Sequence, residues 1–393
     1  MKKNLLFMVI SMNVGGTEKA LLNMIELFPK DKYNITILLL EKSGGFLDSV
    51  PVWVKVKNFQ QYQNIKSIIN ESPTKVLFEH IKSLKFFKAI ILFFLFLISR
   101  LKKDRTMLFS YLLRGYKLKE EYDIAVAYAG PMDFISFFVA KKINAKKRIQ
   151  WVHFDITKIG FNHKFSSKYY KMFDKILVVS EEGKNMLNDA LPELKRKTEV
   201  FLNVLNSKKI KELADNGESF KDDFNGSRIL TVGRLSKEKG QDLAIRTIVK
   251  LKQEGFNIRW YCIGEGYARK EYEELIRINN VEDDFILLGS KQNPYPFMKH
   301  CDIYIQPSRH EGYCITLAEA KCFNKPIVST NFTGAKEQLT HGQTGLIVEV
   351  DDHQIYHAIK LIVTNQEVQM KLKTNLQNEN KNYNSEPHTI GEF

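Results

Sequence analysis

The sequence is poor in cysteine, and its few cysteines lack the spacing of structural ones. Only four of the 393 residues are cysteine, and none lies among the first 261 residues. No two of them form a Cys-x-x-Cys pair, which argues against a disulfide scaffold or a zinc site. A reducing cytosolic environment fits this composition best.

The sequence also lacks an apolar run that could cross a membrane. The run of consecutive apolar residues from 89 to 98 would form about 15 Å of helix, roughly half the thickness of a bilayer core. Because basic residues flank it on both sides, we expect a helix that lies on an anionic leaflet. The alternative is a buried helix of the first domain with solvated ends. The predicted membrane residues are Lys85, Lys88, Phe93, Phe94, Phe96, Arg100, Lys102 and Lys103.

Acidic residues are scarce in the first half of the chain. Residues 1–205 contain 34 Lys and Arg against 19 Asp and Glu, a balance of +15, whereas the remainder contains 25 against 26, a balance of −1. The whole excess of the net charge of +14 therefore lies in the first half. The two halves are expected to face different partners.

Apolar runs alternate with helical periodicity throughout, which is typical of βα units on parallel sheets. Five strands are predicted in the first half and six in the second, enough for a separate sheet in each. The fold class is α/β, with two Rossmann-like doubly wound domains that face each other across a cleft. The predicted boundaries are 1–205 for the first domain, 206–375 for the second and 376–393 for a polar tail. Doubly wound domains bind ligands at the carboxyl ends of their strands, so the cleft is the predicted site.

The first chemical motif lies at the start of the second domain, in ILTVGRLSKEKGQDL (residues 229–243). A buried strand ends at Gly233, and Arg234 and Lys239 follow on a loop before a helix that opens near Gly240. Free amides and two cations would converge there, which favours a diphosphate ligand. A solvated basic loop is an equally good interpretation of this segment alone.

The second motif is PSRHEGYCITLAEA (residues 307–320), with Glu311 on a turn and Glu319 just inside a helix. Carboxylates accept hydrogen bonds from hydroxyls but repel phosphates, so these acids should face a polyol. Sugar hydroxyls, ribose hydroxyls and a diphosphate occur together in a nucleotide sugar. Such a ligand would use both motifs at once.

These two segments and GGTEKALLNM (residues 15–24) resemble glycosyltransferase family 4, retaining enzymes of the GT-B fold. The resemblance covers nearly the whole chain, although residues 42–120 carry almost none of it. It implies that Glu311 lies beside the transferred sugar, that Glu319 binds the ribose, and that Arg234 and Lys239 bind the diphosphate. The backbone amides near residues 313–316 are expected to point out of the helix start into the cleft.

Other positions match the family less specifically. The resemblance places the loop of Gly15 and Gly16 beside the phosphates and the acceptor, and His153, at a strand end, near the donor sugar. The turn at 289–294 resembles the loop that reads the base. Cys314 stands where relatives often have glycine or proline. The predicted catalytic residues are Glu311, His153, Arg234 and Lys239. The predicted donor-binding residues are Gly15, Gly16, Gly233, Arg234, Lys239, Lys291, Gly312, Tyr313, Cys314, Ile315, Thr316 and Glu319.

No Asp-x-Asp motif follows a predicted strand, since the acidic pairs at 222–223 and 283–284 are adjacent residues in polar stretches. Arg234, Lys239 and helix amides would then have to stabilise the leaving diphosphate. The expectation is transfer with no metal and no other cofactor.

The predicted function is hexosyl transfer from a nucleotide diphosphate sugar, with UDP as the expected nucleotide, to a lipid-linked or growing glycan. The setting would be capsule, exopolysaccharide or lipopolysaccharide synthesis, in the cytoplasm at the inner face of the plasma membrane. One alternative is a nucleotide-sugar epimerase of the same fold. Another is a non-catalytic basic protein that binds a membrane or nucleic acid, although no nucleic-acid module is evident and nucleic acid is not an expected partner.

Overall fold

In the computed structural model, which describes residues 2–158 and 160–383, each half of the chain forms a parallel sheet covered by helices. The strands of the first sheet are β1 (Lys3–Val9), β2 (Tyr33–Leu39), β3 (Lys55–Asn58), β4 (Glu121–Gly130), β5 (Asn144–Val152), β6 (Lys175–Val178) and β7 (Thr198–Val200). The strands of the second are β8 (Ser227–Val232), β9 (Ile258–Ile263), β10 (Phe285–Leu287), β11 (Ile303–Gln306), β12 (Ile327–Thr330) and β13 (Leu346–Val348).

The helices follow the strands as crossover connections. Those of the first half are α1 (Gly16–Leu27), α2 (Tyr62–Asn70), α3 (Pro73–Lys82), α4 (Phe86–Lys102), α5 (Thr106–Leu112), α6 (Asp133–Lys142), α7 (His163–Tyr169) and α8 (Glu181–Ala190). Those of the second half are α9 (Ser207–Asp215), α10 (Gln241–Gln253), α11 (Arg269–Ile278), α12 (Tyr295–His300), α13 (Ile315–Lys321), α14 (Ala335–Gln338), α15 (Asp352–Thr364) and α16 (Gln366–Tyr383).

Both sheets have the same order of strands around a central switch point. The first runs β3-β2-β1-β4-β5-β6-β7 and the second β10-β9-β8-β11-β12-β13, with every pair parallel. The order reverses between β1 and β4 and again between β8 and β11. A crevice forms at such a point outside the carboxyl ends of the strands. The predicted α/β doubly wound class is therefore confirmed.

The strands form because their apolar runs are buried on both faces. In β1 the residues Leu5 to Val9 are all buried, and in β8 so are Ile229 to Val232. Continuous Leu, Ile and Val runs of this kind are typical of parallel strands covered by helices on both sides. All six strands predicted in the second half are present, and five of the seven in the first half were predicted.

The second domain extends past its predicted end. Leu372 and Leu376, one turn apart on α16, are fully buried in the second-domain cores. The tail predicted to begin at 376 therefore starts inside a packed helix, which corrects that boundary, and its residues 384–393 lie outside the described part. At the other end, Ile210 of α9 packs into the second-domain core, so α9 belongs to that domain.

Helices α2 to α5 form an excursion between β3 and β4 with a small apolar core of its own. Ile68, Val76, Leu92 and Leu108 are buried there, one from each helix, and Phe96 packs against them half-buried. This excursion coincides with the stretch that carries almost none of the family resemblance.

Candidate functional site at the inter-domain cleft

The loops after β8 and β11 bring the two second-domain motifs together. Lys239 Nζ donates to both carboxylate oxygens of Glu311, at 2.6 and 2.7 Å. The Ser308 hydroxyl donates to the same carboxylate at 2.8 Å. Although burial opposes the charge on the ammonium, the Glu311 carboxylate holds the pKa of Lys239 above its ordinary value. The predicted sugar-binding acid and the predicted phosphate-binding cation thus form one ion pair.

The loop geometry that permits this pairing depends on Gly240 and Arg309. Gly240 adopts a left-handed φ of 71°, and a Cβ there would lie 2.0 Å from the Pro307 carbonyl oxygen, so only glycine fits. Arg309 forms a bidentate ion pair with Asp242 on α10, with both distances 2.7 Å. Together they fasten the loop after β11 to the start of α10.

Arg234 lies at the mouth of the same loop and is exposed. Its carbonyl accepts from Gln241 Nε2 at 2.9 Å, while no hydrogen bond of its guanidinium is found within the described residues. The N–H donors of the Arg234 guanidinium are therefore available to a ligand. Gly233 stands beside the Lys239 side chain at ordinary contact distance.

Glu319 lies deeper, on α13, and is 3% exposed. The Tyr295 hydroxyl donates to its Oε1 at 2.7 Å. Burial raises the pKa of Glu319, while Lys19, from α1 of the first domain, acts in the opposite direction. The Lys19 ammonium also lies 5.3 Å from the centre of the Tyr295 ring. Glu319 is thus linked to both domains at the position predicted to hold the ribose.

The turn from Gly312 to Thr316 leads into α13. Cys314 has a left-handed φ of 64°, a conformation that favours glycine. Its buried Sγ lies 3.4 Å from the Thr316 hydroxyl, and burial raises the pKa of the thiol. Tyr313 packs against the first-domain core, and its carbonyl accepts from Gln338. Ile315 contacts the Gly16 position of α1, because a Cβ on Gly16 would lie 3.4 Å from its Cγ2.

His153 enters from the first domain, directly after β5. Its ring stacks on Trp151 at 5.8 Å and meets Tyr128 edge-on at 4.5 Å. Burial lowers the pKa of His153 to about 3, although a hydrogen bond to the Tyr128 backbone acts against this shift. The imidazole is therefore neutral at pH 7. Its buried Nε2 has no hydrogen-bond partner among the described residues, and in a neutral ring bonded through its other nitrogen that atom is an acceptor.

The two domains touch at Gly312. A Cβ on this residue would lie 1.8 Å from the carbonyl oxygen of His153. No other residue type fits in this arrangement of the domains. Glu311, the acid predicted to bind the transferred sugar, is thereby held next to the His153 segment.

A second contact, which we name the inter-domain clasp, consists of Asp155, Glu182, Thr333, Gly334 and Glu337. The Thr333 hydroxyl donates to Asp155 at 2.7 Å. The Glu337 carboxylate accepts from the first two amides of α8, at 2.9 and 2.8 Å, while Glu182 accepts from the Gly334 amide at 3.0 Å. Each domain thus caps a helix start of the other.

The remaining predicted residues lie on loops around the cleft. Gly15 and Gly16 begin α1 at the carboxyl end of β1. Lys291 is exposed on the turn after β10, and its neighbour Gln292 donates to the Gly45 carbonyl of the first domain at 2.9 Å. All predicted donor residues thus surround one cleft, while their roles stay predictions.

Two residues of the site were not predicted. Glu18 and Lys19 lie inside the segment that carried the resemblance, yet only its glycines were singled out. Helical charges at a domain surface are normally solvated, and the strand-end position of Gly15 was the signal that could have marked them. No group of three or more His, Cys, Asp or Glu within the described residues is arranged to hold a metal ion.

Comparisons with known proteins agree with this architecture. Residues 217–379 match the family described as glycosyl transferases group 1. An uncharacterised glycosyltransferase of Methanocaldococcus jannaschii is 31% identical over 44% of this chain and 43% of its own. A Campylobacter jejuni relative, N-acetylgalactosamine-N,N'-diacetylbacillosaminyl-diphospho-undecaprenol 4-alpha-N-acetylgalactosaminyltransferase, is 28% identical over 51% of this chain and 55% of its own. The chain thus spans about half the length of these relatives.

Solved structures cover more of the chain at lower identity. Anabaena HepE in complex with UDP and glucose matches with a TM-score of 0.69 and 16% identity, over 97% of this chain and 95% of that one. TarM of Staphylococcus aureus matches with a TM-score of 0.66 and 13% identity, over 96% of this chain and 95% of that one. The second domain is therefore similar to the group 1 glycosyl transferases over residues 217–379, and the two facing domains have the GT-B fold.

Proposed function

We propose that this protein is a retaining glycosyltransferase that moves a hexose-type sugar from a UDP-sugar to a lipid-linked or growing glycan. The product would belong to a bacterial capsule, exopolysaccharide or lipopolysaccharide. One observation carries the proposal: the Lys239–Glu311 ion pair, with Arg234 at its mouth and Glu319 behind it, faces His153 across the cleft. The cations that would bind a diphosphate and the carboxylates that would bind hydroxyls thus lie next to each other in the second domain.

The chemistry follows from these groups. Lys239 and Arg234 would stabilise the charge that develops on the departing diphosphate. Glu311 would accept hydrogen bonds from the sugar and offset the positive character of its anomeric carbon. His153, neutral and with Nε2 as an acceptor, would bind a further sugar hydroxyl.

Several comparisons support the substrate classes. UDP and UDP-glucose are present in Anabaena HepE structures, and the Campylobacter relative is named for a diphospho-undecaprenol substrate. A further relative is a capsular polysaccharide biosynthesis glycosyltransferase, CapM, of Staphylococcus aureus. These names motivate UDP as the nucleotide and a polyprenyl-linked glycan as the acceptor.

The test is a donor screen. Purified protein is incubated with UDP-glucose, UDP-galactose, their N-acetylamino forms and GDP-mannose, and release of nucleoside diphosphate is measured. We expect UDP release from at least one donor, and an α-anomeric product by NMR from an α-linked donor. Epimerised donor without any UDP release would favour the epimerase alternative and overturn the proposal.

Metal independence is part of the proposal and has its own test. Because Arg234 and Lys239 supply the positive charge, we expect turnover to survive an excess of chelator. Activity that disappears with chelator and returns with magnesium would contradict this expectation.

We further propose that α4 and the end of α3 bind an anionic bilayer surface. Four large apolar side chains there are strongly exposed: Phe78 (67%), Leu84 (77%), Phe87 (87%) and Leu101 (76%). Of the residues predicted to contact the membrane, all are exposed except Lys88 and Phe96, which are half-buried. No acidic residue occurs between Glu79 and Asp104. No helix of the described residues is long and apolar enough to cross a bilayer.

A vesicle experiment tests this surface. We expect co-sedimentation with phosphatidylglycerol vesicles, weaker binding to phosphatidylcholine vesicles, and loss of binding in Phe87→Glu/Leu101→Glu. Val52→Glu, which adds a charge at a fully exposed apolar position elsewhere, is the control and should bind as the unchanged protein does. Equal binding by the double variant would contradict the proposal.

A further inference from the structure

Glu311, Glu319 and Glu18 are three carboxylates around the predicted donor site, and the first two are engaged by side-chain donors. Glu311 accepts from Lys239 and Ser308, and Glu319 accepts from Tyr295. The third, Glu18, comes from the opposite domain, in the first turn of α1. No side-chain donor to Glu18 is found within the described residues.

The position of Glu18 is set by the glycine loop. Its Oε2 lies beside Gly15, where a Cβ would stand 2.6 Å from that oxygen. The carboxylate thus folds back over the loop that follows β1, the strand next to the switch point of the first sheet. The adjacent Gly16 contacts Ile315 of the second domain, so this loop forms part of the cleft wall.

The charges around Glu18 show what it faces. Burial raises its pKa, while its own backbone amide and Arg234 across the cleft act against that shift. Tyr128 also packs on His153. Burial raises the pKa of the Tyr128 hydroxyl, and the negative charge of Glu18 raises it further. Glu18 is therefore within electrostatic range of both Arg234, the predicted diphosphate cation, and Tyr128, which packs on His153.

Few ligand groups can occupy that position. A carboxylate repels the donor phosphates, and the hydroxyls of the donor already have Glu311 and Glu319. The remaining hydroxyl in a glycosyl transfer is that of the acceptor. This step rests on the proposed function.

We propose that Glu18 accepts a hydrogen bond from the attacking hydroxyl and takes its proton during transfer. The acceptor oxygen forms a bond to the anomeric carbon, and the bond from that carbon to the diphosphate oxygen breaks with its electron pair on the diphosphate. The hydroxyl proton passes to the Glu18 carboxylate and then to water. Because Arg234 is also the predicted diphosphate ligand, Glu18 holds the nucleophile on the leaving-group face, which is the geometry of front-face attack with retention.

The test separates turnover from donor binding and needs no identified acceptor, because water can replace it. In Glu18→Gln we expect UDP release from the donor to fall about 10² to 10⁴-fold. The dissociation constant of UDP should stay within threefold or decrease, since a negative charge near Arg234 is removed. Asp31→Asn, at an exposed acid in the loop after α1, is the matched control and should retain full turnover.

Two further readouts distinguish a proton acceptor from a structural residue. Azide, which has no proton to lose, should restore turnover in Glu18→Gln but not in Glu311→Ala. The rate of the unchanged protein should fall as the pH drops through a pKa above the ordinary 4.5 of a glutamate, and Glu18→Asp should keep this dependence while Glu18→Gln loses it.

The outcomes are distinguishable. Turnover of Glu18→Gln within threefold of the unchanged protein overturns the proposal, and so does a loss of UDP affinity as large as the loss of turnover. An unchanged protein that releases no nucleoside diphosphate from any donor contradicts the proposed function instead.

Discussion

The two domains share one strand order but contribute to the cleft in different ways. The second domain contributes charged side chains that are already paired, such as Lys239 with Glu311. The first domain contributes a glycine loop, a neutral His153 and Glu18. Within the described residues, no side chain donates a hydrogen bond to the Glu18 carboxylate. Under the proposed function, the second domain recognises the donor with side chains at fixed spacing, whereas the first domain contributes backbone shape, a neutral imidazole and a carboxylate.

Among the further changes that test this comparison, the largest expected effect comes from removing the central acid of the second domain. In Glu311→Ala we expect turnover to fall at least about 10² to 10³-fold, because a preorganised charged partner of the sugar is lost. Circular dichroism should show a folded protein. Turnover close to normal would show that the paired side chains of the second domain do not carry the chemistry.

Filling the contact between the domains should have the next largest effect. Gly312→Ala places a Cβ against the His153 carbonyl, so the domains must separate slightly while each stays folded. Misplacement of reacting groups by about 1 Å can cost on the order of 10²-fold in rate. Turnover measures the loss, and small-angle scattering measures an increased radius of gyration.

The control for that variant is Gly160→Ala, where the added methyl meets no atom of the described residues within 4 Å. It should leave turnover and scattering unchanged. If Gly312→Ala behaves like this control, the two domains do not need the contact at Gly312 for catalysis.

A smaller effect is expected at the inter-domain clasp. Glu337→Gln removes the charge that caps the start of α8, and the loss of such a cap costs about 1 kcal/mol. We expect a lower melting temperature and a cleft that opens more often, seen as faster amide exchange at residues 181 and 182. Unchanged exchange at these amides would mean that the cap adds nothing to Ser180, which also caps α8.

The smallest effect concerns Asp155 and depends on pH. Burial opposes its charge, but hydrogen bonds from Thr157 and Thr333 outweigh burial and hold the pKa of Asp155 below 3.8. A lowered pKa contributes stability that is present above the unfolded pKa and is lost as the pH falls through the folded one. Asp155→Asn should therefore melt at a lower temperature than the unchanged protein at pH 7, and the difference should shrink below pH 4. A difference that is constant with pH would contradict this assignment.

The sequence predicted the architecture because buried parallel strands have continuous apolar runs. The strands β3 and β7 were missed because they are short and polar at the sheet edges, as in Lys55–Asn58, where charged residues protect an edge strand. The end of the second domain was misplaced because α16 is mostly polar, and after residue 375 Leu376 is its only aliphatic residue up to Tyr383. The polar composition of this segment is typical of a disordered tail, although the segment forms a packed helix.

The site was predictable where its chemistry lies close together in the sequence. The acids at 311 and 319 and the cations at 234 and 239 belong to two short motifs, each on a single loop and helix start. Glu18 and Lys19 were not predictable in the same way, since their partners Arg234 and Glu319 lie more than 200 residues away. The roles of Glu18 and Lys19 depend on how the two domains pack against each other.

The clasp has a further consequence for how the cleft moves. The ends of α8 and α14 are each capped by a carboxylate of the opposite domain, and these carboxylates and amides become accessible to solvent when the domains part. Water then replaces the protein partner of each group. Separation of the domains therefore exchanges protein–protein hydrogen bonds for hydrogen bonds to water. A clasp of this kind holds the two domains together and still lets them separate at little cost in free energy.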